Sequence, residues 1–181
     1  IMTLEEIIIS AFRLFGALLV LRWALLGSIT AIAIDLSDLF LMNLLDLGGV
    51  RNYQSLDKWL DLSYMFSFAW VALRWQGAPK TIALIFLFYR IIGVGIFEVT
   101  GHRDVLIWFP NLFEFWFIFY AGVIRFKAMN YGSFRSLLIM FFPFALLKEF
   151  QEYALHGGKW LDQYRAVDVV KDSWSWIIQH I

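Results

Sequence analysis

The chain contains no cysteine among its 181 residues. This absence excludes a disulfide framework, a catalytic thiolate and a cysteine-ligated metal. An excess of charge of one sign is also missing, since 15 lysines and arginines balance 15 aspartates and glutamates. Without a basic excess the chain has no electrostatic field that would attract nucleic acid, so we expect no nucleic-acid partner.

Apolar residues, by contrast, are abundant: they make up 61% of the chain, aromatic residues make up 19%, and the mean hydropathy is +0.68. Soluble domains are usually about half apolar. The excess here is concentrated in runs of roughly twenty residues, the length that an α-helix needs to cross a bilayer. The sequence therefore predicts an all-α integral membrane protein in contact with membrane lipids, and we expect it in a bacterial or archaeal cytoplasmic membrane.

Six apolar segments predict about six transmembrane helices in a domain that covers residues 1–155. The segments cover 6–26, 29–47, 56–75, 81–97, 105–124 and 134–153. In an alternative with five spans, residues 6–47 form one spanning helix and a re-entrant piece. The remaining residues, 156–181, mix tryptophans with charges and predict an interfacial amphipathic C-terminal helix.

Four aspartates lie in the second and third apolar segments. Asp35 and Asp38 lie at i and i+3, and Asp57 and Asp61 at i and i+4, so each pair shares one face of a helix. A glycine pair between them permits a chain reversal, which would make the two helices antiparallel and bring the four carboxylates together. Buried acids are costly in lipid, and hard divalent cations such as Mg²⁺ or Mn²⁺ would balance their charge. The pattern therefore indicates a metal site.

This spacing resembles the signature of the CDP-alcohol phosphatidyltransferase family, D-x2-D-G-x2-A-R followed after a spacer by G-x3-D-x3-D. All four acids of that signature have a counterpart here. The resemblance implies a homodimeric transferase of phospholipid biosynthesis, in which a phospholipid-type donor is joined to an alcohol. It also implies that two divalent cations bind to Asp35, Asp38, Asp57 and Asp61, with Asp61 as the catalytic general base.

Other positions of the signature differ: its glycines are Leu39 and Tyr53 here, its alanine is Met42 and its arginine is Asn43. Asn43 and Arg51, a cation in the loop between the acid pairs, are the candidate substrate-binding residues. The substitutions also motivate an alternative, in which the chain keeps the fold but is a non-catalytic lipid-binding or structural subunit that assembles with other membrane subunits.

A third hypothesis is an ion or proton pathway lined by the four aspartates, although no repeat of the transporter kind supports it. Outside the aspartates, Glu114 stands out because it follows Pro110-Asn111 in an otherwise apolar and aromatic segment. A carboxylate buried in a membrane needs a partner of opposite charge, and we expect an arginine in that role.

Overall fold

A computed structural model of the protein describes residues 3–45, 53–102, 104–127, 134–153, 175, 176 and 178. The regular elements within these ranges are α-helices, so the predicted all-α class is confirmed. In chain order they are α1 (Leu4–Arg22), α2 (Ala24–Leu45), α3 (Tyr53–Ala72), α4 (Ala78–Thr100), α5 (Val105–Trp108), α6 (Leu112–Phe126) and α7 (Phe134–Glu152).

These helices coincide with the six predicted segments, the fifth of which is divided into α5 and α6. α1 and α2 are separate helices of 19 and 22 residues. Within the described residues, the two stretches long and apolar enough to cross a membrane are Ala78–Thr100 and Val105–Phe126. Six membrane crossings therefore stay a prediction. The predicted C-terminal helix over 156–181 lies almost entirely outside the described residues.

α1 and α2 form a tight antiparallel hairpin in which Trp23 alone separates the two helices. Gly27 permits this turn, because a Cβ atom at that position would lie 2.5 Å from backbone atoms of α1. Farther from the turn, a Cβ atom on Gly16 would lie 3.2 Å from the Cα atom of Ala31. Small residues allow two helix backbones to approach closely, so these positions determine how α1 lies against α2.

The core between the other long helices is aromatic. Phe68 of α3 stacks on Phe117 of α6, with 4.3 Å between ring centroids. Trp116 of α6 meets Phe141 of α7 edge-on at 5.1 Å, and its indole N–H donates to the Pro79 carbonyl at 3.1 Å. All four rings are buried. Stacked and edge-to-face rings contribute more than their buried area alone, so this packing joins α3, α4, α6 and α7.

The helices expose many large apolar side chains and bury several charged ones. On α4, Ile85, Phe88 and Ile92 recur at helical spacing and are each more than half exposed, as are Ile139 and Phe142 on α7. The buried charged residues are Glu5, Glu6, Arg13, Asp38, Arg90, Glu114, Lys148 and Glu152. Charged residues are rarely buried in soluble proteins, whereas those of membrane helices face the bundle interior.

Candidate functional site

The two aspartate pairs meet around a single arginine of α1. Asp35 and Asp38 project from α2, and Asp57 and Asp61 project from α3. Each of the four carboxylates accepts a hydrogen bond from the guanidinium of Arg13. The carboxylates thus come together as their spacing predicts, whereas the cation between them is not part of the predicted site. We call these five residues the acidic cluster.

The guanidinium divides its contacts between its two terminal nitrogens. Nη1 of Arg13 lies 2.9 Å from Oδ2 of Asp38 and 2.8 Å from Oδ1 of Asp57. Nη2 lies 2.5 Å from Oδ1 of Asp61 and also donates to Oδ1 of Asp35. Such bonds between ionised groups are stronger than neutral ones. One guanidinium carries a single positive charge, so four ionised carboxylates leave the cluster with an excess of negative charge.

The buried face of α1 explains why Arg13 lies here. Ile9, Arg13, Gly16 and Val20 are buried and recur at helical spacing. Small residues on this face mark the surface that packs against α2, so an arginine within the same stripe must point into the helix interface. This signal is present in the sequence and marks Arg13 as a buried residue of α1, although the carboxylates that it meets depend on how α1 packs against α2 and α3.

The acidic cluster has a buried side and a more open side. The side chains of Arg13 and Asp38 are each 1% exposed. Those of Asp35, Asp57 and Asp61 are 23%, 31% and 21% exposed, respectively. A ligand can therefore reach the cluster from the side that these three aspartates form.

The open side has the ligand atoms that a divalent cation requires. Asp35, Asp57 and Asp61 each offer one carboxylate oxygen, and these atoms lie within 4.8 Å of one another. Carboxylate oxygens are preferred ligands of Mg²⁺ and Mn²⁺, so the residues present fit such an ion. Asp38, the fourth predicted ligand, does not belong to this group. It lies instead on the buried side beside Arg13.

Two buried polar atoms of the acidic cluster have no hydrogen-bond partner among the described residues. They are Nε of Arg13 and Oδ1 of Asp38. Buried polar atoms are nearly always paired, and leaving one unsatisfied costs about 1–3 kcal/mol. One of these atoms is a donor and the other an acceptor, and both belong to the same ion pair.

A second buried polar cluster lies at the start of α6. Oε2 of Glu114 accepts hydrogen bonds from the Tyr64 hydroxyl at 3.3 Å and from Nδ2 of Asn111 at 3.0 Å. Nζ of Lys148 on α7 lies 3.9 Å from this oxygen and 3.2 Å from Oε1 of Glu152. The expected arginine partner of Glu114 is therefore wrong. Its cation is Lys148, because the end of α7 packs against the start of α6.

Side chains of α4 hold the break between α5 and α6. Nη1 of Arg90 donates to the Phe109 carbonyl at 2.9 Å, and the Tyr89 hydroxyl donates to the Trp108 carbonyl. Gly93 lets Phe109 pack directly on α4, because a Cβ atom at Gly93 would overlap the phenylalanine side chain. The carbonyls of Trp108 and Phe109, which the break frees from helical bonding, are thus satisfied by side chains of α4.

The predicted substrate-binding residues fall outside this description. Asn43 belongs to α2, but its side chain is not among those described, and Arg51 lies in the undescribed stretch 46–52. Comparison of the chain with protein-family models, with curated proteins and with solved structures finds no match.

Proposed function

We propose that the protein is a membrane-embedded, divalent-metal-dependent phosphotransferase of the CDP-alcohol phosphatidyltransferase type. It would join a phospholipid-type donor to an alcohol. The observation that carries the proposal is the meeting of four carboxylates from α2 and α3, three of which could hold a metal ion. Acids gathered inside a bundle of apolar helices need a ligand of opposite charge, and phosphate transfer commonly uses such a metal.

The apolar exterior supports a location in the membrane. Three of the four charged residues of α1, Glu5, Glu6 and Arg13, are buried, and the fourth, Arg22, is the last residue of the helix. Lipid in contact with α1 would therefore meet residues such as Phe15 and Leu18, both more than half exposed. An exposed apolar surface of this extent needs an apolar solvent or a protein partner. All six helical segments, rather than two, would then cross the bilayer.

The three open aspartates would have separate tasks. Asp35, Asp57 and Asp61 would hold the cation, which supplies positive charge to the phosphate oxygens of the donor. Asp61 would also accept the proton of the alcohol hydroxyl as the oxygen attacks phosphorus. A bond forms between the alcohol oxygen and the phosphorus that carries the lipid group, the diphosphate bridge breaks, and the nucleotide monophosphate leaves with the electron pair.

A second candidate function is a non-catalytic subunit of a membrane assembly. It is favoured by Arg13, whose guanidinium donates to all four aspartates and so balances part of their charge from within the chain. A buried cation that pairs with carboxylates in this way can have a purely structural role, in which it determines how the helices pack against one another. In that case the apolar exterior would bind lipid or neighbouring subunits.

The test is nucleotide release by the purified full-length protein in lipid vesicles. CDP-lipid and a panel of alcohols are supplied with Mg²⁺ or Mn²⁺, or with EDTA, to wild type, Asp61→Asn and Asp104→Asn. Asp104 is an exposed aspartate outside the acidic cluster and provides the matched control. We expect metal-dependent release in wild type and in the control, with a loss of about 10²–10⁴-fold in Asp61→Asn.

Thermal unfolding of the same samples separates loss of chemistry from loss of fold. The proposal is overturned if wild type releases no nucleotide with any alcohol, or if folded Asp61→Asn retains the wild-type rate. Stable co-purification with other membrane subunits, together with no release, would support the non-catalytic function instead.

A further inference from the structure

We propose that Arg13 is an intramolecular counter-cation that a divalent cation replaces at Asp35, Asp57 and Asp61. In the metal-free protein the guanidinium would neutralise part of the cluster. When the metal binds, Arg13 would give up these three carboxylates and stay paired with Asp38. The inference rests on the metal site of the proposed function. It adds that Arg13 competes with the metal for the same three carboxylates.

The competition follows from shared ligands. The carboxylates that could hold the metal are the same ones that Arg13 contacts on the open side of the cluster. A guanidinium and a divalent cation repel each other when both are centred on the same three carboxylates. Arginine cannot relieve this repulsion by losing its proton. We therefore expect the guanidinium to move when the metal binds.

The buried side of the cluster offers a hydrogen-bond partner for the displaced guanidinium. Nη1 of Arg13 already donates to Oδ2 of Asp38, while Nε of Arg13 and Oδ1 of Asp38 have no partner among the described residues. A side-on pair, in which Nε and the adjacent Nη2 each donate to one oxygen of Asp38, would satisfy both atoms once the guanidinium has turned so that Nη2 replaces Nη1 at this carboxylate. This bidentate arrangement is a favoured geometry for arginine and carboxylate.

The movement needs only the side chain. The backbones of α1 and α2 are in close contact one turn from Arg13, where a Cβ on Gly16 would lie 3.2 Å from the Cα atom of Ala31. Such close packing leaves little room for α1 to shift. Rotation of the Arg13 side chain from four carboxylates to one therefore accounts for the exchange without rearrangement of the helices.

The experiment measures Mn²⁺ binding to the full-length protein in detergent by electron paramagnetic resonance. Wild type is compared with Arg13→Met, which keeps an unbranched apolar side chain and removes the charged guanidinium. Arg22→Met removes an exposed arginine from the end of the same helix and provides the control. We expect Arg13→Met to bind Mn²⁺ at least about tenfold more tightly than wild type, whereas Arg22→Met binds with wild-type affinity.

Each outcome separates this inference from the proposed function. Wild-type affinity, or weaker binding, in folded Arg13→Met overturns the role of Arg13 and leaves the metal site intact. Absence of Mn²⁺ binding in every variant overturns the metal site and the competitor together. If Arg13→Met binds Mn²⁺ and wild type does not, the result supports competition by Arg13 and argues against a metal-dependent enzyme.

If Arg13→Met does not fold, Arg13→Lys replaces it. Lysine should compete with the metal less strongly than arginine, so the Arg13→Lys protein should bind Mn²⁺ more tightly than wild type. Equal affinity overturns the inference.

Discussion

Arg13 and Asp38 form the most deeply buried ion pair of the acidic cluster, with both side chains 1% exposed and 2.9 Å between Nη1 and Oδ2. The other three aspartates are 21–31% exposed. This difference divides the cluster into a buried side and an open side. The buried pair anchors α1 to α2 through opposite charges, and the open carboxylates remain within reach of a ligand from outside the bundle.

Removal of the Arg13 charge should destabilise the metal-free protein. In EDTA, Arg13→Met leaves the Asp38 carboxylate buried without a cation, and such a change costs about 3–5 kcal/mol. We expect the free energy of unfolding in detergent, measured by denaturant titration, to fall by this amount. Arg22→Met should stay close to wild type, because Arg22 is exposed. Equal stability of the two variants would show that Arg13 does not stabilise the cluster.

Divalent cations should stabilise the wild-type protein through the open aspartates. A ligand that binds only the native state raises the free energy of unfolding by about 2.7 kcal/mol at a concentration of 100 times its Kd. Addition of Mn²⁺ should therefore raise the Tm of wild type and of Asp104→Asn, and EDTA should reverse the increase. Asp57→Asn removes one of the three ligand residues and should abolish the shift. The same increase in Asp57→Asn would contradict this metal site.

The convergence of the four aspartates could be predicted because it depends on local periodicity. The i, i+3 and i, i+4 spacings place each pair on one helix face, and the apolar segments on both sides predict the helices themselves. The helix boundaries agree with those segments within a few residues, except at the break before Asn111. There, Pro110 cannot donate the backbone hydrogen bond of a continuous helix.

The identity of the partner cations could not be predicted in this way. Which residue of α1 or α7 faces a given carboxylate depends on the rotation and axial offset of one helix against another. In α1 these are determined by contacts such as that between Gly16 and Ala31, which belong to tertiary packing. The same reason explains why Glu114 pairs with Lys148 rather than with an arginine.

Lys148 should be as important for stability as Arg13. Its ammonium group lies between Glu114 and Glu152, and all three side chains are buried. Lys148→Met removes the buried cation that lies 3.9 Å from Glu114 and 3.2 Å from Glu152, which should reduce the free energy of unfolding by about 3–5 kcal/mol. Arg135→Met changes an exposed cation on the same helix and should have little effect. The two variants are compared by denaturant titration, and a Lys148→Met protein as stable as Arg135→Met would exclude a structural role for this pair.

Gly93 and Gly95 provide a matched test of the helix break. A Cβ atom at Gly93 would overlap the Phe109 side chain, whereas one at Gly95 would meet nothing within 4 Å. Gly93→Ala should therefore push Phe109 away from α4 and reduce stability by about 1–3 kcal/mol, the usual cost of overpacking. Gly95→Ala should increase stability by about 0.5–1 kcal/mol, because alanine favours a helix over glycine. Both variants are measured by thermal unfolding in the same detergent. If Gly93→Ala is as stable as Gly95→Ala, Phe109 does not pack against α4, and the contacts of Arg90 and Tyr89 alone must hold the break.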